Sequence, residues 1–397
     1  LREHVRPDLH GGHILPVVPW SSDDGLSVTD YDAADPALGG RDDVASIGQE
    51  LRLTAHLMLT HCSAQSDRIQ GFLGGDLVRA PDQTASVNDD LGAMVRPRPH
   101  PILTRYEGAA GLAHVWRTFV ADQVDLTFGG PEAPLEFIAI LRRRIDHGAR
   151  IIRLDAVGFL RKEGGAPSIH PAPTHEVVRL MCGLMDHLNV RAALLTEINA
   201  PHAENLSYFG NQNEAHAIYY FSLAPLRPLG LLRGGAAYLR RWLMAMPSAL
   251  PGCAHLNFAA SHDGIGVLDV SGAMSMRTRD GVKAPHEIDA PLWFALAGAA
   301  GGAPDAWRFE RFIPGRTVMM SIAGILAFYI HSLIAAPNDR EGRNLSGRNR
   351  AINRREWDRA TWTPCWTIPP AIRRACWPRS AAASRSDLAI RPRDPAA

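Results

Sequence analysis

The stretch "GARIIRLDAVGFL" (148–160) sets Arg153 and Asp155 inside the otherwise apolar run "IIRLDAVGFL". Such a segment reads as a buried strand, and burying either charge alone costs several kcal/mol. In a strand, residues two apart point to the same side. Arg153 and Asp155 are therefore neighbours on one face, and the fold must give them partners or a task. Taken alone, the pair suits a structural ion pair as well as a site.

Working outward, short apolar runs recur, each ending in polar residues: "HILPVVP" (13–19), "LRLTAHLMLTH" (51–61), "ARIIRLDA" (149–156), "AALLTEI" (192–198), "AIYYFS" (217–222), "HLNFAASHD" (255–263) and "GILAFYIHS" (324–332). Runs of this kind suit parallel strands buried on both faces. Helical patterns lie between them, such as "PLEFIAILRRRIDHG" (134–148) and "THEVVRLMCGLMDHL" (174–188), the second opened by Thr174 with Glu176. Alternating strand and helix predicts an α/β fold, either a (β/α)8 barrel or an open doubly wound sheet. No GxGxxG or GxxxxGK[ST] loop follows an early strand, which counts against the nucleotide-binding sheets.

Composition narrows the function classes. The chain has 397 residues, 46% of them hydrophobic and 21% charged, which fits one large catalytic domain with insertions. A net charge of +1 gives no reason to expect nucleic acid or a membrane surface as partner. Cys62, Cys182, Cys253, Cys365 and Cys376 form no CxxC pair, so neither a disulfide framework nor a metal site is expected. That usage, with no signal peptide at the start, suits a reducing cytoplasm. The apolar segment 317–336 approaches bilayer length. Ser321 and Gly324 interrupt it, and a helix end running into a buried strand explains it better.

In a barrel, catalytic groups gather where strands end. Asp155 and Glu197 close two successive strands, His262 and Asp263 a later one, and His61 an earlier one. Cleavage of a glycosidic bond needs one carboxylate as nucleophile or base and one protonated carboxyl as acid. A cation such as Arg153 beside the first favours its charged form, whereas burial and neighbouring negative charge keep Glu197 protonated.

"GARIIRLDAVGFL", "LLTEINAPHAENLSYFG" and "NFAASHDGIG" resemble three conserved blocks of the α-amylase superfamily, and more narrowly its sucrose phosphorylase branch. "HILPVVPWSSDDGLSVTDY", "VRPRPHPILT", "DQVDLTF" and "GRNRAINRREWD" strengthen the narrower match, which covers about residues 11–358. The resemblance implies a (β/α)8 TIM barrel with a small subdomain inserted after the third strand. It implies a retaining phosphorylase that passes glucose from an α-glucoside to phosphate through a covalent glucosyl-enzyme, with no cofactor. By the same resemblance Asp155 is the nucleophile, Glu197 the acid/base and Asp263 the carboxylate that steadies the distorted sugar. His61 and His262 bind glucose hydroxyls, Arg153 flanks the nucleophile, and Asp23 with Arg350 closes around the glucose. Arg98 matches the phosphate-positioning arginine, with Arg96 as the fallback.

The chain departs from this pattern in places. The first block reads "HLMLTH", with His56 and Thr60 where the family has an acid and an amide. Leu26 stands where an aromatic residue stacks on the glucose. Only twelve residues precede "HILP", too few for the family's first β/α unit, so a barrel lacking that unit, with two open sheet edges, is expected. The expected division is an incomplete barrel start (1–61), an inserted subdomain (62–110), the rest of the barrel (111–358) and an irregular tail (359–397). Lys162 and Lys283 are the only lysines, as in a GC-rich coding sequence, and translation in a shifted frame gives tails of this kind. Two other readings stay open: an α-glucoside hydrolase or transglycosylase, and an inactive, degenerate member of the family.

Overall fold

The computed structural model describes residues 9–75, 90–98, 100–109, 111–126, 128–266, 274–279, 282–288, 292–296, 306–334 and 336–357. The tail and the first eight residues lie outside this set. Seven parallel strands form the central sheet: β1 (Gly11–His13), β2 (Arg52–Leu57), β3 (Ala149–Leu154), β4 (Ala193–Thr196), β5 (Ala217–Tyr219), β6 (Ala254–Phe258) and β7 (Ile325–Ala327). Their spatial order is their chain order. A doubly wound sheet reverses direction at a switch point, so the sequential order selects the barrel-type arrangement. Among the described residues β1 and β7 each have one neighbour in this sheet, so its two edges are not joined.

Crossovers run through α1 (Arg41–Glu50) before β2, α2 (Glu132–Asp146) before β3 and α3 (Ala172–His187) before β4. Phe137 and Ile140 of α2 and Val178 and Met181 of α3 pack with Ile152, Leu154, Leu194 and Ile218 of the strands. Each such side chain is fully buried and contributes roughly 1.5–3 kcal/mol. Further on, α4 (Leu223–Arg233), α5 (Ala237–Ala245) and α6 (Ala306–Met320) complete the helical layer.

Three sequence expectations need correction. The strand at "HILPVVP" is displaced: β1 ends at His13 and the run beyond it leaves the sheet. Pro16 and Pro19 have no N–H to give to a ladder, and Val18 instead packs with Leu26, Val28 and Met58. Helix α3 starts at Ala172 behind Pro171, which leaves Thr174 buried in its first turn rather than at its cap. The segment 317–336 divides into the end of α6, the half-buried β7 and a short helix Ile330–Leu333, so its strand is not the fully buried one expected. No helix among the described residues is long and apolar enough to cross a membrane.

Between β2 and β3 the chain makes a short strand His61–Ser63 paired antiparallel with Gln123–Asp125. It also makes a helix Asp67–Leu73, capped by the Ser66 hydroxyl, and a hairpin of Leu103–Gly108 with Gly111–Trp116.

Candidate active site

Asp155 follows the last residue of β3, and its N–H donates to Leu57 O at 3.3 Å, extending the pairing with β2 by one step. Glu197 does the same after β4, donating to Leu154 O at 3.0 Å. Parallel pairing carried past both strand ends sets the two carboxyls side by side at one rim of the sheet. The next residue, Ala156, has a left-handed φ of 46°, a strained conformation for a residue with a Cβ. That turn aims its N–H at Glu197 Oε2, 3.0 Å away.

Arg153 lies beneath both, with 2% of its side chain exposed. Nη1 pairs with Asp155 Oδ1, and Nη2 lies 3.5 Å from Glu197 Oε2. Nε donates to the Tyr219 hydroxyl at 3.2 Å, and Nη1 faces Nδ1 of His56 at 3.4 Å. Burial works against the guanidinium's charge, but Asp155, Tyr219, Glu197 and Asp263 together outweigh it, so the group stays firmly cationic. Burial pushes Glu197 up to about 7, against the pull of Arg153 and helped by Asp155 and Asp263. Burial, with Arg153 beside it, holds His56 well below the ordinary histidine value. A neutral ring therefore stands where the family carries an acid.

One cleft, with about 780 Å3 of empty space, is lined by Asp155, Glu197, Asp263, Asp23, His61, Arg98 and Arg350. These are seven of the ten residues singled out in the sequence. Arg153 and His262 stand behind the wall, and Arg96 is half-buried outside it. Burial opposes the Asp263 charge, but Arg350 at 2.7 Å, His262 at 3.4 Å and Arg354 at 3.0 Å hold the carboxyl below its usual range. Burial also holds His262 itself well below the ordinary value. His61 Nε2 meets the Leu26 carbonyl at 3.1 Å and Nδ1 meets the Thr60 hydroxyl at 2.8 Å, which fixes its tautomer with the proton on Nε2. Leu26 and Thr60 thus both serve to aim His61.

Several residues escaped the sequence reading. Phe119 and Phe159 put aromatic faces in the cleft wall, and Phe119 lies 5.1 Å from the His61 ring. Lys162 and Asp125 form a buried pair at 2.8 Å behind His61. Arg354 is the guanidinium at Asp23, 3.6 Å from its Oδ1. Only "GRNRAINRREWD" hinted at Arg354, and two arginines four apart there look alike in sequence.

Away from the cleft, Cys182, Asp186 and His216 cluster closely enough to suggest a metal. However, His216 Nδ1 accepts the Leu194 N–H at 3.2 Å, so the neutral ring carries its proton on Nε2, toward Asp186. That protonated nitrogen has no lone pair to offer a metal.

No family model matches the chain. It is 38% identical over 380 residues to a glucosylglycerate phosphorylase of Spirochaeta thermophila, covering 90% of this chain and 64% of that protein. To a glucosylglycerate phosphorylase of Allomeiothermus silvanus it is 37% identical over 382 residues, covering 91% and 69%. The chain belongs to the sucrose phosphorylase branch of the α-amylase superfamily. It spans about two thirds of the length of these curated relatives. The crystal structure of sucrose 6F-phosphate phosphorylase from Thermoanaerobacter thermosaccharolyticum matches with a TM-score of 0.81 at 20% identity, over 95% of this chain and 82% of that one. The fold is therefore of the α-amylase type, and the seven-stranded parallel sheet fits a TIM barrel.

Proposed function

We propose that the chain is a retaining glucoside phosphorylase, with α-glucosylglycerate as donor and phosphate as acceptor. The observation that carries this is the convergence of Asp155, Glu197 and Asp263, from three strand ends, on one cleft that also holds Arg98. The names of the two relatives favour glucosylglycerate among the α-glucosides. Asp155 attacks the anomeric carbon as the bond to the glycerate oxygen breaks, and Glu197 gives that oxygen its proton. A glucosyl ester on Asp155 results, with Asp263 steadying the sugar; His61 lines the cleft with both ring nitrogens engaged by Leu26 and Thr60, and His262 stands behind its wall. A phosphate oxygen then attacks the same carbon from the face the glycerate left. Two inversions return the α configuration, and the ester electrons go back to Asp155. Glu197 at about 7 suits a group that must first give a proton and then stand ready to take one. Arg98 meets the incoming phosphate, for which a guanidinium offers bidentate donors, while Asp23 and Arg350 close around the glucose.

We further read residues 62–110 as an insertion between β2 and β3, and the seven strands as part of a TIM barrel. Leu26 and His56 give the inactive alternative its footing. The hydrolase alternative differs only in letting water or a sugar hydroxyl attack.

The test is release of glucose 1-phosphate and of free glucose from a panel of α-glucosides, with and without phosphate, by the wild type and Arg98→Ala. Phosphate-dependent glucose 1-phosphate from glucosylglycerate is expected. On a donor with an uncharged leaving group, such as sucrose, Arg98→Ala should cut that product far more than any free glucose, because its charge there serves only the anionic acceptor. Equal loss of both products removes Arg98 from the phosphate site. Glucose with or without phosphate makes the chain a hydrolase, and neither product leaves the inactive reading.

A further inference from the structure

Residues 168–170, in the loop after β3, make three separate attachments. Ser168 is fully buried, and its hydroxyl meets one residue twice. It accepts the Val95 N–H at 3.1 Å and donates to the Val95 carbonyl at 3.1 Å. Ile169 lines the cleft and packs with Val95, Ala156 and Phe159. His170 Nδ1 lies 2.9 Å from the Tyr208 hydroxyl and Nε2 lies 3.1 Å from Glu204 Oε2, both on the short helical turns that follow β4. One short segment thus joins the chain around Val95 to the elements after β4.

That segment is itself tightly placed. His170 has a left-handed φ of 56°, which costs a residue with a Cβ free energy. Its N–H donates to Gly158 O at 2.9 Å, and a Cβ on Gly158 would stand 3.3 Å from the His170 ring. Glycine at 158 leaves that ring room to reach Glu204 and Tyr208. Ser168 therefore presents its hydroxyl from a fixed frame. What it meets is the stretch 95–98. Arg96 and Arg98 each precede a proline, which narrows their backbone choice, and Pro97 locks its own φ. So stiff a stretch carries the placement of Val95 on to Arg98, which lines the cleft. A second tie, from Gly165 N–H to Asp90 O at 2.9 Å, lies farther back in the chain.

We propose that Ser168 is a positioning residue that sets Arg98 for the incoming phosphate by holding the Val95 backbone. This rests on the reading of Arg98 as the phosphate arginine. Ser168 does not line the cleft, so it acts through Val95 and touches no substrate. Thr174 supplies the comparison. It is fully buried in the first turn of α3, and its hydroxyl has no hydrogen-bond partner among the described residues. Thr174→Val therefore removes a buried hydroxyl from the same region without touching Val95.

The experiment supplies α-glucosyl fluoride to the wild type, Ser168→Ala, Ser168→Cys, Thr174→Val and Arg98→Ala, and measures glucose 1-phosphate and free glucose as phosphate is varied. Fluoride takes no part in the second step, and the product ratio does not depend on how much of a preparation is folded. Ser168→Ala should lower the ratio of glucose 1-phosphate to glucose about tenfold, with glucose release in the absence of phosphate within about twofold of wild type. Ser168→Cys, a weaker donor and acceptor, should recover part of the ratio, and Thr174→Val should match the wild type. Hydrogen exchange of residues 90–98 should be about tenfold faster in Ser168→Ala than in the wild type. A Ser168→Ala ratio within about twofold of wild type overturns the proposal. So does an equal fall in Thr174→Val, which makes the effect a general loosening, or unchanged exchange at 90–98. If Ser168→Ala does not fold, Ser168→Cys must show a lowered ratio, and a wild-type ratio there overturns it. Arg98→Ala separates the two claims. An unchanged ratio in that variant defeats the Arg98 reading and this proposal with it, whereas a fall in Arg98→Ala alone overturns this proposal only. If the wild type makes no glucose 1-phosphate, the proposed function fails by itself. Calorimetric titration of inorganic phosphate then decides: about tenfold weaker binding in Ser168→Ala keeps the positioning role, and equal binding, or none in the wild type, ends it.

Discussion

Glu197 is the residue whose environment makes the sharpest demand. Burial lifts its carboxyl from an ordinary value of 4.5 to about 7. A general acid must hold its proton as the leaving group departs, so kcat/KM for the donor should fall as pH rises through about 7. Glu197→Gln should abolish that limb together with most of the activity. The same shift acts on stability. Because the folded value lies above the unfolded one, its contribution is complete below about 4.5 and is lost as pH rises through about 7. Glutamine does not titrate, so Glu197→Gln should gain on the wild type above pH 7, by at most about 3 kcal/mol. Urea unfolding of both proteins at acid and alkaline pH checks this, and parallel pH dependences would contradict it. Glu197 was legible because a carboxylate closing an apolar run is costly without a task. Arg354 was not, since the four-residue spacing that pairs it with Arg350 says nothing of which loop each meets.

At the scale of elements, the pair between Lys162 and Asp125 ties the loop after β3 to the short strand Gln123–Asp125. Asp125 is fully buried and also accepts the Thr118 hydroxyl at 2.7 Å. Burial holds the Lys162 ammonium below its usual value, against the pull of Asp125. Removing one partner leaves the other charge unpaired, so Lys162→Met should cost about 3–5 kcal/mol. Adding Asp125→Asn should recover part of it, and denaturant titration of both variants measures the difference. A Lys162→Met loss under about 1 kcal/mol would show the pair to be open to water. The core strands β2 to β6 were readable from apolar runs because both faces are covered. β1 was not, because its "GGH" has no apolar signature and the prolines that follow carry the hydrophobic run out of the sheet. The strand His61–Ser63 hid at the end of the β2 run for a similar reason: three residues are too few to show a period.

Over the whole molecule, a net charge of +1 conceals a strong local concentration at one rim of the sheet. Asp23, Asp24, Asp155, Glu197 and Asp263 face Arg98, Arg153, Arg348, Arg350 and Arg354 there. In a parallel sheet wound in chain order every strand ends at the same rim, which is how residues from 23 to 354 come to share one cleft. The balance of signs raises one carboxyl, Glu197, to about 7, which suits the acid a double displacement requires, while Asp263 stays charged. That mechanism commits to a covalent bond between glucose and Asp155. The most direct measurement is mass spectrometry of peptic peptides after Glu197→Gln protein is mixed with α-glucosyl fluoride, whose leaving group needs no acid. A peptide spanning Asp155 should gain the mass of one glucosyl unit and lose it when an anionic nucleophile such as azide is added. An unlabelled Asp155 peptide, with fluoride released in step with free glucose, would contradict the covalent route and the role of Asp155 with it.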